Sequence, residues 1–141
     1  MSARFHLAIP VESIDVSKKF YCDFLGCEEG NSEEGWVDIN FWGNELTLHA
    51  TDPSKPLHGE RHNVDMGNVS VPHFGVHLDE GDFNQLKERL EENGIEYIDP
   101  PYIRFKGTEL QQETLFILDP HGNCLEIKTM KNPETLFRKN N

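Results

Sequence analysis

One pattern of apolar residues occurs twice along this chain, and it limits the available folds more than any other feature. Residues 4–11 alternate, with Phe5, Leu7, Ile9 and Val11 on one side and Arg4, His6, Ala8 and Pro10 on the other, as in a strand with one buried face. An apolar stripe at helical spacing follows at Ile14, Phe20, Phe24 and Leu25, and Gly26 is placed to stop that helix. Strand patterns then recur over 36–42 (Val37, Ile39, Phe41) and 45–50 (Leu46, Leu48, Ala50), with Gly43-Asn44 as the turn between them. From residue 72 the order begins again with Phe74, Val76 and Leu78 on one strand face. Asp82 with Gln85 resembles a capping box, Phe83, Leu86 and Leu90 form a helical stripe, and Gly94 marks its end. Strands are predicted over 95–98, resuming over 102–105 past Pro100-Pro101, then over 114–118 and 123–129, with a turn at 119–122.

This repeat predicts an α+β fold of paired βαβββ modules forming an open eight-stranded curved sheet, one helix behind each half. Residues 1–52 make the first module and 71–130 the second. The stretch 53–70 holds Pro53, Pro56, Gly59 and Gly67 with little periodicity and reads as a linker loop. The polar segment 131–141 reads as a loose tail or a partner-contacting piece.

The 141 residues carry a formal charge of −12, which argues against nucleic acid as a partner, since phosphate contacts need clustered Lys and Arg. The same excess disfavours a polybasic membrane mode, and no apolar run approaches the roughly 20 residues that span a bilayer. The start Met1-Ser-Ala-Arg-Phe-His has no signal-peptide pattern. Cys22, Cys27 and Cys124 are odd in number and lack CxxC spacing, as expected of reduced thiols in a cytoplasmic protein.

Three polar residues interrupt the alternation on the side away from the apolar stripes: His6, His73 and Glu126. His6 and His73 hold the same position in the two first strands, and His49 is read as the counterpart of Glu126 in the two last ones. If the modules pair about a pseudo-twofold axis, these four converge. Two imidazoles and one carboxylate from separate strands form a facial set that suits a divalent metal with open positions, so His6, His73 and Glu126 are the expected metal ligands. A small substrate with two vicinal oxygens could fill two open positions, and O₂ a third if the metal is Fe(II), the favoured ion; Zn, Ni, Mn or Co would also suit. For His49 the residues leave a ligand, a proton-transfer group or a hydrogen-bond donor near the substrate oxygen open; a catalytic acid/base role is the one expected. Arg104 and Lys106, two residues apart, are expected to hold an anionic substrate oxygen. Asn40 and Phe116, with Trp36 and Trp42, are expected to line the cavity. Cys124 shares the strand face of Glu126, whereas His77, His121, His58 and His62 are expected outside the ligand set.

The segments Phe5-His6-Leu7-Ala8-Ile9-Pro10-Val11, Phe20-Tyr21-Cys22-Asp23-Phe24-Leu25-Gly26-Cys27, His73-Phe74-Gly75-Val76 and Leu118-Asp119-Pro120-His121-Gly122-Asn123-Cys124-Leu125-Glu126 resemble the vicinal oxygen chelate superfamily. That superfamily includes glyoxalases, bleomycin-resistance proteins, extradiol dioxygenases and fosfomycin-modifying transferases, and the likeness covers about residues 4–130. With Arg104-Phe105-Lys106-Gly107, the chain looks most like bacterial proteins described as predicted extradiol-type dioxygenases. The resemblance implies the paired fold, a homodimer and the His6, His73 and Glu126 ligand set. It also implies a contrast at residue 49. Glyoxalases supply a fourth ligand, Glu or Gln, from the equivalent strand, whereas extradiol dioxygenases place a histidine outside the metal shell. The rival readings are a glyoxalase-type lyase or isomerase and a metal-free sequestering protein of the bleomycin-resistance kind.

Overall fold

The computed structural model of the chain describes residues 4–51, 60–64 and 67–138. The first half forms strands β1 (His6–Val11), β2 (Glu28–Glu33), β3 (Trp36–Phe41) and β4 (Asn44–Ala50), with α1 (Ile14–Lys18) crossing over after β1. A hairpin of β5 (Glu60–Val64) and β6 (Gly67–Val71) follows. The second half forms β7 (Phe74–His77), α2 (Glu80–Glu92), β8 (Tyr97–Arg104), β9 (Gln112–Leu118) and β10 (Cys124–Met130). The sheet orders are β1-β4-β3-β2 and β7-β10-β9-β8, each with its first and last strands parallel and the rest antiparallel. This is the α+β architecture the repeat predicts. The expected eight-stranded surface is not formed as one hydrogen-bonded sheet: two four-stranded sheets end separately on β1 and β7.

One core serves both halves. Val37, Ile39, Leu46 and Leu48 of the first sheet share a single buried cluster with Leu115, Ile117, Leu125 and Ile127 of the second, together with Tyr21 and Leu25 after α1 and Phe83, Leu86 and Leu90 of α2. Both sheets therefore contribute their most apolar faces to one core. Burying these side chains drives the arrangement at about 25 cal/mol per Å². A polar network locks it. Asp119, 4% exposed, accepts from Tyr21 Oη at 2.8 Å, Asn123 Nδ2 at 2.8 Å, and the backbone N–H groups of His121 at 2.9 Å and Asn123 at 2.8 Å. Asn123 Nδ2 also reaches Pro10 O at 3.0 Å, so the turn after β9 is tied to β1. Asp119→Ala leaves these donors buried and unsatisfied and is expected to lower stability by about 3 kcal/mol in urea unfolding. A midpoint equal to wild type would show that the network contributes nothing.

Several local features depart from the periodicity, each for a physical reason. The helix expected over 14–25 is α-helical only through Lys18 and continues as a π-helical segment, Lys19–Phe24, in which Leu25 N–H donates to Phe20 O at 3.0 Å. This wider turn buries both Phe20 and Tyr21. The cap of α2 is Asp79, which accepts from Asp82 N–H at 2.8 Å, three residues before the expected capping box. The β3–β4 turn is Trp42-Gly43, one residue earlier than expected, with φ of 48° and 88°, the paired positive values a two-residue hairpin needs. β2 carries no apolar signal because every residue in it is exposed at a sheet edge; its glutamates discourage further strand pairing. β8 is one strand that keeps Pro100 and Pro101 by bulging at the other edge. The stretch read as a linker includes the β5–β6 hairpin, while His58 falls outside the described residues. The tail is anchored through residue 138: Thr135 is buried and Arg138 Nη1 meets Glu109 Oε2 at 2.6 Å.

Candidate functional site

Strand register decides which side chains share the outward faces. In the second sheet, β10 sits between β7 and β9, with Glu126 beside Gly75 and Phe116, and Lys128 beside His77 and Thr114. Across β9, Tyr102 and Arg104 of β8 pair with Thr114 and Gln112 and so join the same face. His73 enters from just before β7. Its Nε2 lies 3.1 Å from Glu126 Oε1, and its Nδ1 lies 2.6 Å from Ser70 O. A carbonyl only accepts, so Nδ1 donates to Ser70 O; the Nε2 contact is a hydrogen bond to the carboxylate when Nε2 is protonated as well, and in the neutral imidazole Nε2 is the nitrogen that carries the lone pair. Phe116, 1% exposed, stands edge-on beneath the imidazole with centroids 5.2 Å apart. Glu126 Oε2 accepts from Thr114 Oγ1 at 2.6 Å and lies 3.7 Å from Lys128 Nζ.

The electrostatics follow from these contacts. The hydrogen bond to Glu126 raises the His73 pKa; burial opposes this and the Ser70 carbonyl adds to it. Burial alone would push the Glu126 carboxyl up, but hydrogen bonds from His73 and Thr114, with the Lys128 charge, together bring it below its usual value. Burial lowers the His77 pKa, and Lys128 lowers it further.

The first sheet presents a related but different face. His6 Nδ1 lies 2.7 Å from Glu45 Oε1, both side chains being more than half exposed, at 58% and 52%. Proton donation from Nδ1 to that carboxylate again leaves Nε2 available. Thr47, next along the face, is buried and donates to Asp38 Oδ1 at 2.7 Å. His49 is exposed, flanked by Pro10 and Trp36. The register corrects one equivalence. Ala8 pairs with Thr47 as Gly75 pairs with Glu126, so the counterpart of Glu126 is Thr47, and His49 answers to Lys128. A sequence signal for this phase exists in the repeated Gly43-Asn44-x-Leu46 and Gly122-Asn123-x-Leu125, which the alternation argument passed over.

Thus His73, Glu126 and Phe116 are brought together, with Arg104 on the same face. His6 and His49 lie on the outward face of the other sheet, and among the described residues no three His, Cys, Asp or Glu side chains form a group able to hold a metal. Within the chain His6 meets Glu45, and His73 meets Glu126. Asn40 is exposed and accepts from Gly43 N–H at 2.8 Å, which gives it a turn-holding contact on the first sheet. Arg104 and Lys106 are not a strand pair. Phe105 takes φ of 54° between them, so β8 ends and Lys106 projects from an exposed turn, while the Arg104 guanidinium lies 4.9 Å from the Phe105 ring centroid. Cys124 is buried against Phe116. Glu45, Thr114 and the Ser70 carbonyl were missed by periodicity, since alternation shows a face but not a contact, whereas Lys128 could be read as a partner of Glu126 from its place two residues on.

A groove of about 630 Å³ lies between the two halves, lined by Phe5, Leu7 and Glu45 on one side and Phe74, Val76 and His77 on the other, with Phe137 beside them. The outer edges of β1 and β7 carry no partner strand among the described residues. Phe5 is 66% exposed and Phe137 90%. No helix among the described residues is long and apolar enough to cross a membrane.

Comparison with known proteins agrees with this architecture. A crystal structure described as a glyoxalase/bleomycin resistance protein/dioxygenase from Alicyclobacillus acidocaldarius matches with a TM-score of 0.75 and 28% identity, covering 96% of each chain. The fosfomycin resistance protein FosX from Listeria monocytogenes matches with a TM-score of 0.69 and 18% identity over 96% of this chain and 99% of its own. A lactoylglutathione lyase from Agrobacterium tumefaciens matches with a TM-score of 0.61 and 22% identity over 92% of this chain and 94% of its own. No curated protein matches in sequence. The profile of the Glyoxalase/Bleomycin resistance protein/Dioxygenase superfamily, in contrast, matches residues 4–127, nearly the whole described fold, and the chain belongs to that superfamily.

Proposed function

We propose that the protein is a divalent-metal-dependent enzyme acting on a small substrate with vicinal oxygens, and that its site is completed by a second copy of the chain. The observation that carries this reading is the His73–Glu126 contact on an outward sheet face, 3.1 Å apart, with the Nδ1 of His73 occupied by Ser70 O. His6 is anchored the same way by Glu45, and both imidazoles therefore offer Nε2. His73 and Glu126 of one chain with His6 of the other are the donors that would hold the ion. Nitrogen and carboxylate donors of this kind fit Fe(II), Zn, Ni, Mn or Co, with Fe(II) favoured. When bound, the ion supplies a Lewis acid for two substrate oxygens. A homodimer is supported by the apolar groove, the edges of β1 and β7 that carry no partner strand among the described residues and the exposed Phe5 and Phe137, a surface expected to be covered in solution.

The register also bears on the reaction. A four-ligand, glyoxalase-like site would draw its fourth donor from the counterpart of Glu126, and that position holds Thr47, whose hydroxyl is engaged by Asp38. Three protein donors leave room for two substrate oxygens and a third small ligand, so extradiol-type ring opening is the reaction we place first. His49, on the face that carries His6, is the group we assign to proton transfer in the completed site, and Phe116 supports the imidazole of His73 from beneath. Arg104 is assigned to the substrate side of the His73 face, with Lys106 in the exposed turn after β8, and Asn40 to the rim of the first sheet.

Complementation tests the shared site. His6→Ala and Glu126→Ala proteins should each take up no metal in equilibrium dialysis. Mixed equally, dissociated and reassociated, they should regain about one quarter of the wild-type sites, since half of the dimers are mixed and each of those has one intact site. A mixture that stays empty, or a His6→Ala protein that loads fully, refutes the assignment.

A further inference from the structure

Phe137 is the most exposed large apolar side chain among the described residues, at 90%, and the segment that carries it is well fastened. Thr135, buried, donates from Oγ1 to Asn132 O at 2.7 Å. Leu136 N–H donates to Pro133 O at 3.1 Å and Arg138 N–H to Thr135 O at 3.0 Å, so the segment is closed by its own turns. Two contacts tie it to Glu109, in the turn between β8 and β9. Asn132 Nδ2 donates to the Glu109 carbonyl at 2.9 Å, and Arg138 Nη1 meets Glu109 Oε2. Phe137 thus lies between a buried threonine and a paired arginine. An aromatic ring held out in water adds nothing to the fold. It is, however, what an interface anchor requires: a large apolar side chain on an ordered backbone, so that little freedom is lost on docking.

Phe137 borders the groove of about 630 Å³, with Phe5 also at its rim and the Phe41 and Phe74 rings 5.7 Å apart within it. From this geometry we propose that the groove of each copy receives the C-terminal turn of the other, with Phe137 as the anchor, and that the seated ring walls the shared site on its His6 side. The inference rests on the shared-site reading above and extends it to the contact that holds the two copies together. Groove and anchor lie on one surface, so a twofold axis beside them carries each turn into the opposite groove, as a self-complementary interface demands. Arg138 arrives already paired with Glu109 and brings no uncompensated charge. The area also fits. A phenylalanine buries about 150–250 Å², so covering Phe5 and Phe137 removes roughly 300 Å² per copy, over a third of the about 800 Å² that a stable interface takes from each partner. The edges of β1 and β7 extend the same surface, since they carry no partner strand among the described residues. The consequence for the site runs through Glu45. It lines the groove and holds His6 Nδ1 at 2.7 Å, in a pair that is more than half exposed. A ring seated there takes that pair out of water, which strengthens the hydrogen bond and fixes the imidazole that the metal needs.

The test is sedimentation of the full chain over a range of concentrations, with zinc uptake measured alongside. Losing an aromatic anchor costs about 30-fold in affinity, and a symmetric dimer loses two at once, so Phe137→Ala should raise the dimer dissociation constant by about 10³-fold. The ring is 90% exposed, and the variant should keep the wild-type circular dichroism spectrum. Its zinc uptake should be low when dilute and return to the wild-type stoichiometry once concentrated enough to dimerise, because no ligand has been removed. A Phe137→Ala protein that dimerises as tightly as the wild type overturns the anchor and leaves the shared site standing. Full zinc uptake by monomeric Phe137→Ala overturns the shared site, and with it the place of Phe137 beside that site. A wild type that stays monomeric at about 100 µM overturns both, whether its groove then takes another protein, a small apolar molecule or nothing.

Discussion

Replacing Glu126 with alanine is expected to weaken divalent-metal binding by at least about 10²-fold, and activity should fall with it. The carboxylate is the only anionic donor in the proposed set, and its geometry is prepared by other groups. Thr114 Oγ1 holds Oε2 at 2.6 Å, leaving Oε1 for His73 and the ion. Glu126→Gln is the sharper comparison, since it keeps the size and the hydrogen-bonding capacity of the side chain but not the charge. If charge is what matters, Gln should fail nearly as completely as Ala. Metal content after dialysis against buffered metal reads the effect, and the unfolding midpoint separates a lost ligand from a lost fold. A Glu126→Ala protein loading metal like the wild type would remove the carboxylate from the site.

Gly75→Ala is expected to have a large structural effect for a single methyl group. A Cβ at Gly75 would lie 1.5 Å from Glu126 O and 2.6 Å from Glu126 C, atoms of the neighbouring backbone that cannot rotate away. β7 would have to leave β10, breaking the parallel ladder that seats His73 over Glu126. The expected loss is about 4 kcal/mol or more, within the range of severe overpacking and backbone strain. Urea unfolding measures it, and for any folded fraction the His73 imidazole signals in NMR should lose the shift caused by Glu126. Wild-type stability in Gly75→Ala would mean that the strands are not packed this closely. The glycine between His73 and Val76 is thus an architectural part of the site as much as the ligands are.

Much of the fold was legible because burial imposes a period. Ile9, Val11, Val37, Ile39, Leu46 and Leu48 alternate in the chain and are all buried on one side of one sheet, and Phe83, Leu86 and Leu90 recur at helical spacing and are buried under α2. Where burial was missing, so was the signal. β2 is exposed throughout, and the β5–β6 hairpin lies among prolines and glycines, so neither had a pattern to read. The cap of α2 was misplaced because Asp79 and Asp82 are both good caps, and only backbone geometry chooses between them.

The site divides along a similar line. Sequence alone determined that His6, His73 and Glu126 interrupt apolar strands on their polar sides, because a two-residue period assigns each side chain to a face. It could not determine which interruptions meet. The ladder between β7 and β10 decided that His73 reaches Glu126 over Phe116, and the ladder between β1 and β4 put Thr47, not His49, in the matching place. The tertiary structure also decided that within one chain His6 meets Glu45 while His73 meets Glu126, with no three donors grouped among the described residues. A face is a local property of a strand, fixed by alternation. A contact depends on register and on how two sheets share their buried sides, and those are settled only when the whole apolar surface is packed at once.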